Sequence, residues 1–227
     1  MKMDLSFIAN WVNTVFADFD YAILSFMHIL AQSVGVVLTP VMKIITLVGE
    51  KGIIILLLAV ILICFSKTRK AGVCMIVAVL CSAVITSLIL KEAIRRPRPF
   101  EVVYDFGVWW EYVGSPFESG FSFPSGHVTA AMAGAVALCL ELGKKYILPS
   151  AAFVLAMGVS RNYLMAHYPS DVLAGMLAGT IAAVIAYLLV KLAYSYINKR
   201  TGKLSNFILD FDLRDYYAKL KKKDSTY

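Results

Sequence analysis

The 227-residue chain is 59% hydrophobic, has a mean hydropathy of +0.73 and carries charged side chains at only 16% of its positions. This composition excludes an ordinary soluble domain and is typical of an integral membrane protein. The formal net charge of +7 belongs mostly to one face of the predicted membrane domain, and we expect no nucleic-acid partner.

The N-terminal segment, residues 1–20, is predicted to form an amphipathic helix on the membrane surface. Its apolar residues recur at roughly helical spacing on one side: Leu5, Ile8, Trp11, Val12, Val15 and Phe16.

Residues 21–48 form a long apolar run that also contains His28, Pro40 and Lys43. This run is predicted either to cross the bilayer with a kink at Pro40 or to lie partly in the interface, since neighbouring helices can cover a proline and a few polar groups. We expect His28 to be a packed or hydrogen-bonded histidine outside the functional site.

Five further apolar runs are candidates for membrane-spanning helices, which need about 20 residues. They cover residues 52–66, 71–90, 128–142, 146–165 and 172–194. The first and third are short, so flanking residues must help them to span. The sequence thus predicts one membrane domain, residues 21–197, followed by a polar and basic tail, residues 198–227.

Basic residues are concentrated in two short connections and in the tail. They are Lys67, Arg69, Lys70, Lys144 and Lys145 in the connections, and Lys199, Arg200, Lys203, Arg214, Lys219 and Lys221 to Lys223 in the tail. Alternating spans bring all three regions to one face, which the positive-inside rule predicts to be cytoplasmic. The opposite, extracytoplasmic face receives the three motifs described next, whether or not residues 21–48 cross the bilayer.

Three short motifs on that opposite face carry most of the polar chemistry of the membrane domain. The first is Lys91 with Arg98-Pro99, the second is Pro124-Ser125-Gly126-His127, and the third is Ser160-Arg161 followed by His167 and Asp171. Charged groups in a membrane domain are costly unless they serve a function. The pattern indicates hydrolysis of a phosphate ester at a membrane surface.

Each motif has a chemical rationale. The Pro-Ser-Gly turn precedes a helical pattern that begins near His127, so its backbone N–H groups would lie at a helix N-terminus, where unpaired donors and the macrodipole favour a phosphate. Lys91 supplies one point charge, while Arg98 and Arg161 supply planar guanidinium groups for phosphate oxygens.

The third motif also places a histidine close to a carboxylate. Asp171 follows His167 by four positions, so its side chain can hydrogen-bond one imidazole nitrogen and aim the other at phosphorus.

Each of these residues also has an ordinary structural interpretation. Basic residues at the ends of membrane helices commonly extend to headgroups, Pro-Ser-Gly is a common turn, and Asp171 alone could cap a helix. Arg95 and Arg96 are expected to face headgroups or to support the loop. No metal site is predicted, because two distant histidines and one aspartate fit no common ligand spacing. The coincidence of the three motifs favours catalysis.

Together the motifs resemble the complete three-part signature of the type 2 phosphatidic acid phosphatase superfamily. Every signature position is filled by Lys91-x6-Arg98-Pro99, Pro124-Ser125-Gly126-His127 and Ser160-Arg161-x5-His167-x3-Asp171. The resemblance implies an all-α, polytopic membrane bundle of about six transmembrane helices, with the active site at the extracytoplasmic surface and no metal or other cofactor. The small size and membrane composition are similar to those of the bacterial lipid phosphatases in this superfamily.

The resemblance also implies a role for each motif residue. His167 would be the nucleophile that forms a phosphohistidine, Asp171 would orient it, and His127 would protonate the leaving group. The phosphoryl oxygens would be bound by Lys91, Arg98 and Arg161, helped by Ser125 and Gly126.

The implied substrate is a phosphate monoester or diphosphate of a membrane lipid. Aromatic residues crowd positions 100–123 and predict either an aromatic belt beside the site or simple anchoring of the loop. Undecaprenyl diphosphate, phosphatidylglycerol phosphate and phosphatidic acid fit the pattern equally well. Two alternatives stay open, namely a lipid phosphotransferase that uses an alcohol acceptor and a non-catalytic lipid transporter, although the two histidines argue against a transporter.

Overall fold

The structure, a computed structural model, describes residues 6–199 and 212–224, and this part of the chain is helical without any strand. The all-α prediction is therefore confirmed. In chain order the helices are α1 (Phe7–Val15), α2 (Ala17–Val48), α3 (Ile53–Ile63), α4 (Arg69–Ala83), α5 (Lys91–Ile94), α6 (Pro99–Val102), α7 (Tyr104–Tyr112), α8 (Gly126–Leu142), α9 (Ile147–Tyr163), α10 (Pro169–Asn198) and α11 (Leu213–Asp224). The 3-10 turns Glu50–Gly52 and Lys144–Tyr146 precede α3 and α9, and a π-helix, Val84–Leu90, joins α4 to α5.

Among the described residues, three helical stretches are long and apolar enough to cross a membrane: Ala17–Val48, Arg69–Val102 and Pro169–Asn198. Two more apolar helices, α3 and α8, are shorter, as their short apolar runs indicate. The length and composition of these helices are those of a helical membrane protein.

The kink in α2 differs from its predicted position. The only non-helical backbone angles within this helix are at Val34, with φ −133° and ψ 17°, whereas Pro40 lies within regular helix. The proline ring clashes with the carbonyl group four residues earlier, here that of Val36, and its nitrogen donates no hydrogen bond. Val34 lies two positions before Val36, so the bend is on the N-terminal side of Pro40 and slightly beyond the turn that the proline itself perturbs.

Close packing of α8 against α10 brings the second and third motifs together. A Cβ atom added to Gly175 would lie 2.9 Å from the carbonyl oxygen of Ser125, and one added to Gly179 would lie 2.5 Å from that of Thr129. Larger side chains at either glycine would force the helices apart, as expected for small residues at a membrane helix interface. The backbone N–H of Ser125 consequently donates to the carbonyl oxygen of Asp171 at 3.1 Å.

A second packed cluster joins α2, α7 and the end of α9. It is built around Leu24, Phe106 and Tyr163, which are all nearly fully buried. His28 stacks on Trp109 with ring centroids 4.9 Å apart, so the prediction of a packed histidine is confirmed.

Both ends of the described chain dock on the bundle. Helix α1 buries Ala9 and Val12 and leaves Trp11 54% exposed; residues 1–5 lie outside the described part, so the amphipathic prediction is tested only from residue 6 onward. Asp212, just before α11, accepts hydrogen bonds from the backbone N–H and hydroxyl of Ser66 at 3.0 and 2.9 Å. The tail helix therefore lies beside the basic connection of residues 67–70, on the face to which both were predicted to belong. The remaining tail residues, 200–211 and 225–227, lie outside the described part.

Candidate active site

One cavity of about 570 Å³ receives residues from all three motifs. Six of the eight predicted site residues line it: Lys91, Arg98, Gly126, His127, Arg161 and His167. The other two, Ser125 and Asp171, are both fully buried. Folding thus brings together all eight residues that the sequence singles out.

His167 lies in the tight turn between α9 and α10. Its carbonyl oxygen accepts a hydrogen bond from Nδ2 of Asn162 at 3.0 Å, and Ala166 donates its N–H to the carbonyl oxygen of Arg161 at 3.1 Å. The imidazole is 1% exposed, and its Nδ1 lies 3.6 Å from Oδ2 of Asp171 and 3.4 Å from Oγ of Ser122. Nδ1 is therefore held on the protein side, and Nε2 is the nitrogen left for a ligand.

Asp171 is fixed on both of its oxygen atoms. Oδ2 accepts the backbone N–H of Tyr168 at 2.9 Å and the hydroxyl of Ser122 at 2.5 Å, while Oδ1 accepts Nη1 of Arg96 at 2.6 Å. The contact with Tyr168 forms part of a capping box at the start of α10. The carboxylate thus caps α10 and also faces His167. Its position is compatible with both interpretations of Asp171, as a helix cap and as the group that orients the histidine.

Arg96 decides between two predicted alternatives. Its side chain was expected to face headgroups or to support the loop; it is 1% exposed and stacks on the ring of Tyr168 at 3.8 Å, so the headgroup alternative is wrong. It also donates to Oδ1 of Asn13, Oγ of Ser170 and Oδ2 of Asp20, at distances of 2.7, 2.7 and 2.8 Å. A guanidinium can be buried only when its donors are paired, and two carboxylates, Asp20 and Asp171, compensate its charge.

Asp20 completes this buried network from the start of α2. Its Oδ1 accepts the backbone N–H of Ser170 at 2.8 Å, and its Oδ2 accepts the Ser170 hydroxyl at 2.7 Å. The network of Asp20, Arg96, Ser170 and Asp171 therefore ties α2 and the segment after α5 to the turn that carries His167.

Arg98 and Arg161 share a carboxylate that the sequence analysis missed. Glu118 Oε2 lies 3.2 Å from Nη1 of Arg98, and its Oε1 forms an ion pair with Nη2 of Arg161. The Glu118 side chain is 13% exposed, and the residue lines the cavity. Arg98 also donates to the backbone carbonyl oxygens of Gly120, Ser119 and Ala166 at 3.0, 2.8 and 2.8 Å. Glu118 thus occupies a place where two cations would bind an anionic ligand.

Several polar atoms around the cavity have no hydrogen-bond partner among the described residues. They are Nε and Nη1 of Arg161, Oγ of Ser125, Nε2 of His127 and Oγ1 of Thr86. Buried polar atoms are normally paired, so this group is suited to a polar ligand. Thr86 was not predicted; it lies in the π-helix, an element often found at functional sites.

The surroundings of His167 favour a neutral imidazole. Burial, together with the neighbouring cations Arg98, Arg161 and Lys91, lowers its pKa well below the ordinary value of 6.5. At neutral pH this histidine consequently has an unprotonated nitrogen available as a nucleophile.

Comparison with known proteins agrees with these observations. Residues 71–195, more than half of the chain, match the PAP2 superfamily. The chain is 30% identical over 119 residues to an undecaprenyl-diphosphatase from Sulfolobus acidocaldarius, covering 52% of this chain and 55% of that protein. It is 38% identical over 112 residues to a lipid A 1-phosphatase from Rhizobium etli, covering 46% and 47%. The chain therefore spans about half the length of these curated relatives.

Solved structures resemble a larger part of the fold. A PAP2-type phosphatidylglycerolphosphate phosphatase from Bacillus subtilis has a TM-score of 0.61 at 27% identity and covers 84% of this chain and 92% of its own. LpxE from Aquifex aeolicus has a TM-score of 0.59 at 22% identity, covers 72% and 93%, and supports the fold alone. On the family match and the filled cavity motifs, the chain belongs to the PAP2 superfamily.

Proposed function

We propose that the protein is an integral membrane lipid phosphatase that hydrolyses a phosphate monoester or diphosphate through a phosphohistidine. The main support is one cavity in which two histidines face three cations and a helix N-terminus. Transferring a phosphoryl group spreads negative charge over its nonbridging oxygens, which such cations and N–H donors stabilise.

The phosphoryl group would bind where Glu118 now lies. Arg161 has two unpaired donor atoms there, and the first turn of α8 offers backbone N–H groups that lack intrahelical partners. Oxygen atoms of the substrate would replace the Glu118 carboxylate on Arg98 and Arg161. The unpaired Ser125 hydroxyl supplies a further donor.

His167 would attack phosphorus through Nε2. Its Nδ1–H would point to the oxygens of Ser122 and Asp171, which fix the ring and stabilise the positive charge that develops on it. The new N–P bond forms as the P–O bond to the leaving group breaks. Water then attacks phosphorus, phosphate is released, and neutral His167 is restored.

His127 would act as the acid in the first step and as the base in the second. Burial disfavours a protonated His127 imidazole, and the nearby charges of Arg161, Arg98 and Lys91 disfavour it further because like charges repel. A bound phosphate carries about two negative charges and offsets most of the charge of these three cations. Substrate binding would therefore favour the protonated, acidic form of His127.

The substrate is proposed to be a membrane lipid. Two relatives are named for lipid substrates, undecaprenyl diphosphate and lipid A, and the segment beside the cavity exposes Tyr104 by 85% and Phe117 by 89%. Undecaprenyl diphosphate, phosphatidylglycerol phosphate and phosphatidic acid stay the candidates.

The chain is further proposed to cross the cell membrane about six times, with the cavity extracytoplasmic and the tail cytoplasmic. In a cysteine-free variant, Phe117→Cys should react with an impermeant thiol reagent from outside, whereas Lys144→Cys should react only after the inner face is opened. The reverse pattern would overturn the orientation.

Phosphate release from purified lipids tests the proposed activity. The purified protein should release inorganic phosphate without an alcohol acceptor and in excess chelator, and His167→Ala should release none. Release only with an added alcohol would instead favour a phosphotransferase. Lipid movement that survives His167→Ala, with no phosphate release by the wild type, would favour a transporter.

A further inference from the structure

Helix α2 carries a polar stripe beside the cavity, although most of the helix is apolar. The stripe consists of Thr39, Lys43 and Thr46, whose spacing of three or four residues places them on one face. Lys43 and Thr46 line the cavity together with Glu50 of the following 3-10 turn. Thr39 Oγ1 lies 2.7 Å from the hydroxyl of Tyr163, and Thr46 Oγ1 lies 3.1 Å from that of Ser160. These contacts hold the stripe against the end of α9, beside Arg161.

Lys43 lies between the two threonines and lines the same cavity as the histidines. Its Nζ is 3.0 Å from the place that a Cβ atom on Gly114 would occupy, and Gly114 has a φ of +88°. The ammonium group therefore lies where α7 ends, next to the segment that carries Glu118. Lys43 is exposed, and it forms no ion pair within residues 6–199 and 212–224.

The cavity has room for more than one phosphoryl group. Its volume of about 570 Å³ corresponds to roughly twenty water molecules at about 30 Å³ each. Lys91, Arg98 and Arg161 already suffice to bind the group that His167 attacks. Lys43 is an additional cation that this reaction does not use.

We propose that Lys43 binds a second phosphate on the substrate, carried by the leaving group. The proposal rests on the phosphatase function above. In a diphosphate, the bond that breaks joins the attacked phosphorus to the bridging oxygen, and this oxygen leaves with the lipid phosphate. The three N–H donors and the charge of Lys43 stabilise the negative charge that the departing phosphate gains. A phosphodiester separated by glycerol from the attacked group presents the same second phosphate.

Lys43→Met tests this assignment, because methionine keeps an unbranched side chain only one atom shorter and removes the charge. Specificity constants are measured in one detergent for a polyprenyl diphosphate, for phosphatidylglycerol phosphate and for phosphatidic acid. The last substrate has only the phosphate that is hydrolysed. In Lys43→Met the specificity constant should fall about tenfold to a hundredfold for at least one two-phosphate substrate, as expected for the loss of a hydrogen bond to a charged group. For phosphatidic acid it should fall less than twofold.

The pattern of losses identifies the source of the second phosphate. A loss confined to the diphosphate indicates a directly bridged group, and a loss confined to phosphatidylglycerol phosphate indicates the glycerol-spaced group. Lys43→Arg should restore most of the lost activity, and Lys144→Met, at the far end of α8, should leave all three substrates unchanged.

Two results overturn the assignment, and they differ from a failure of the proposed function. Equal proportional losses on all three substrates would make Lys43 a structural residue, and unchanged constants would make it a headgroup anchor. If the wild type hydrolyses none of the three lipids, the proposed function itself fails.

Discussion

Replacing Glu118 by glutamine should strengthen the binding of inorganic phosphate. The carboxylate bridges Arg98 and Arg161, the cations proposed to bind the phosphoryl group. An anionic ligand must therefore displace it. Glutamine has nearly the same shape but carries no charge, so it competes less for the two guanidinium groups.

The size of the effect follows from these two contacts. A hydrogen bond that involves a charged group contributes about 1.5–3 kcal/mol; an arginine–carboxylate contact lies near the upper end of this range and an arginine–amide contact near the lower end, so the two contacts together weaken by up to roughly 3 kcal/mol. Partial exposure of Glu118, 13% for its side chain, reduces this figure through solvent screening. At 1.4 kcal/mol for each factor of ten, phosphate should bind about tenfold to a hundredfold more tightly to Glu118→Gln.

Competitive inhibition by inorganic phosphate measures this affinity directly. The loop should stay in place in the variant, because Arg98 holds it through the backbone carbonyl oxygens of Ser119 and Gly120. Glu92→Gln is a matched control, since Glu92 is 59% exposed and pairs with Arg95 outside the cavity. An inhibition constant that is unchanged or higher in Glu118→Gln would show that the carboxylate does not compete with phosphate.

Three further predictions concern the histidines and the buried network. The pKa of His167 is lowered by burial and by nearby cations, so kcat/KM should persist below pH 6.5 and fall only when the imidazole is protonated. Arg161→Met removes one of these cations and should move this fall in kcat/KM to higher pH. A fall at the same or a lower pH would contradict the electrostatic cause. Arg96→Met leaves Asp20 and Asp171 as buried carboxylates without a cation. Its free energy of unfolding, measured by thermal unfolding in detergent, should be about 3–5 kcal/mol lower than that of the wild type, and a decrease below about 1 kcal/mol would refute the role of the network. His127→Ala should lose about a hundredfold or more on a lipid monoester but much less on an activated aryl phosphate, and equal proportional losses would reject His127 as the acid.

The sequence predicts the helices and the motif residues well because both depend on local patterns. An apolar run longer than a few helical turns has few possible structures other than a buried or membrane-spanning helix. Pro169 and the turn before Gly126 set the starts of two helices through short-range geometry. Counting spans is enough to place the three motifs on one face, and the structure brings them to one cavity.

Residues that act through long-range pairing could not be assigned from the sequence. Asp20 and Arg96 meet across 76 positions and Ser122 and Asp171 across 49, so no local spacing identifies these pairs. An arginine beside an apolar run looks the same in sequence whether it reaches headgroups or a buried carboxylate. Glu118 lies in an irregular segment, where periodicity gives no indication of which way a side chain points. The π-helix that carries Thr86 is equally hidden, because its residues fit an α-helical pattern.

Trapping the covalent intermediate tests the central claim most directly. Purified protein is mixed briefly with a substrate that carries a radiolabelled phosphoryl group, quenched without acid, digested and mapped. The account predicts an acid-labile phosphohistidine at His167 that is absent from His167→Ala and that turns over more slowly in His127→Ala when an aryl phosphate is the substrate. Label on any other residue, or phosphate release by His167→Ala at the wild-type rate, would contradict it.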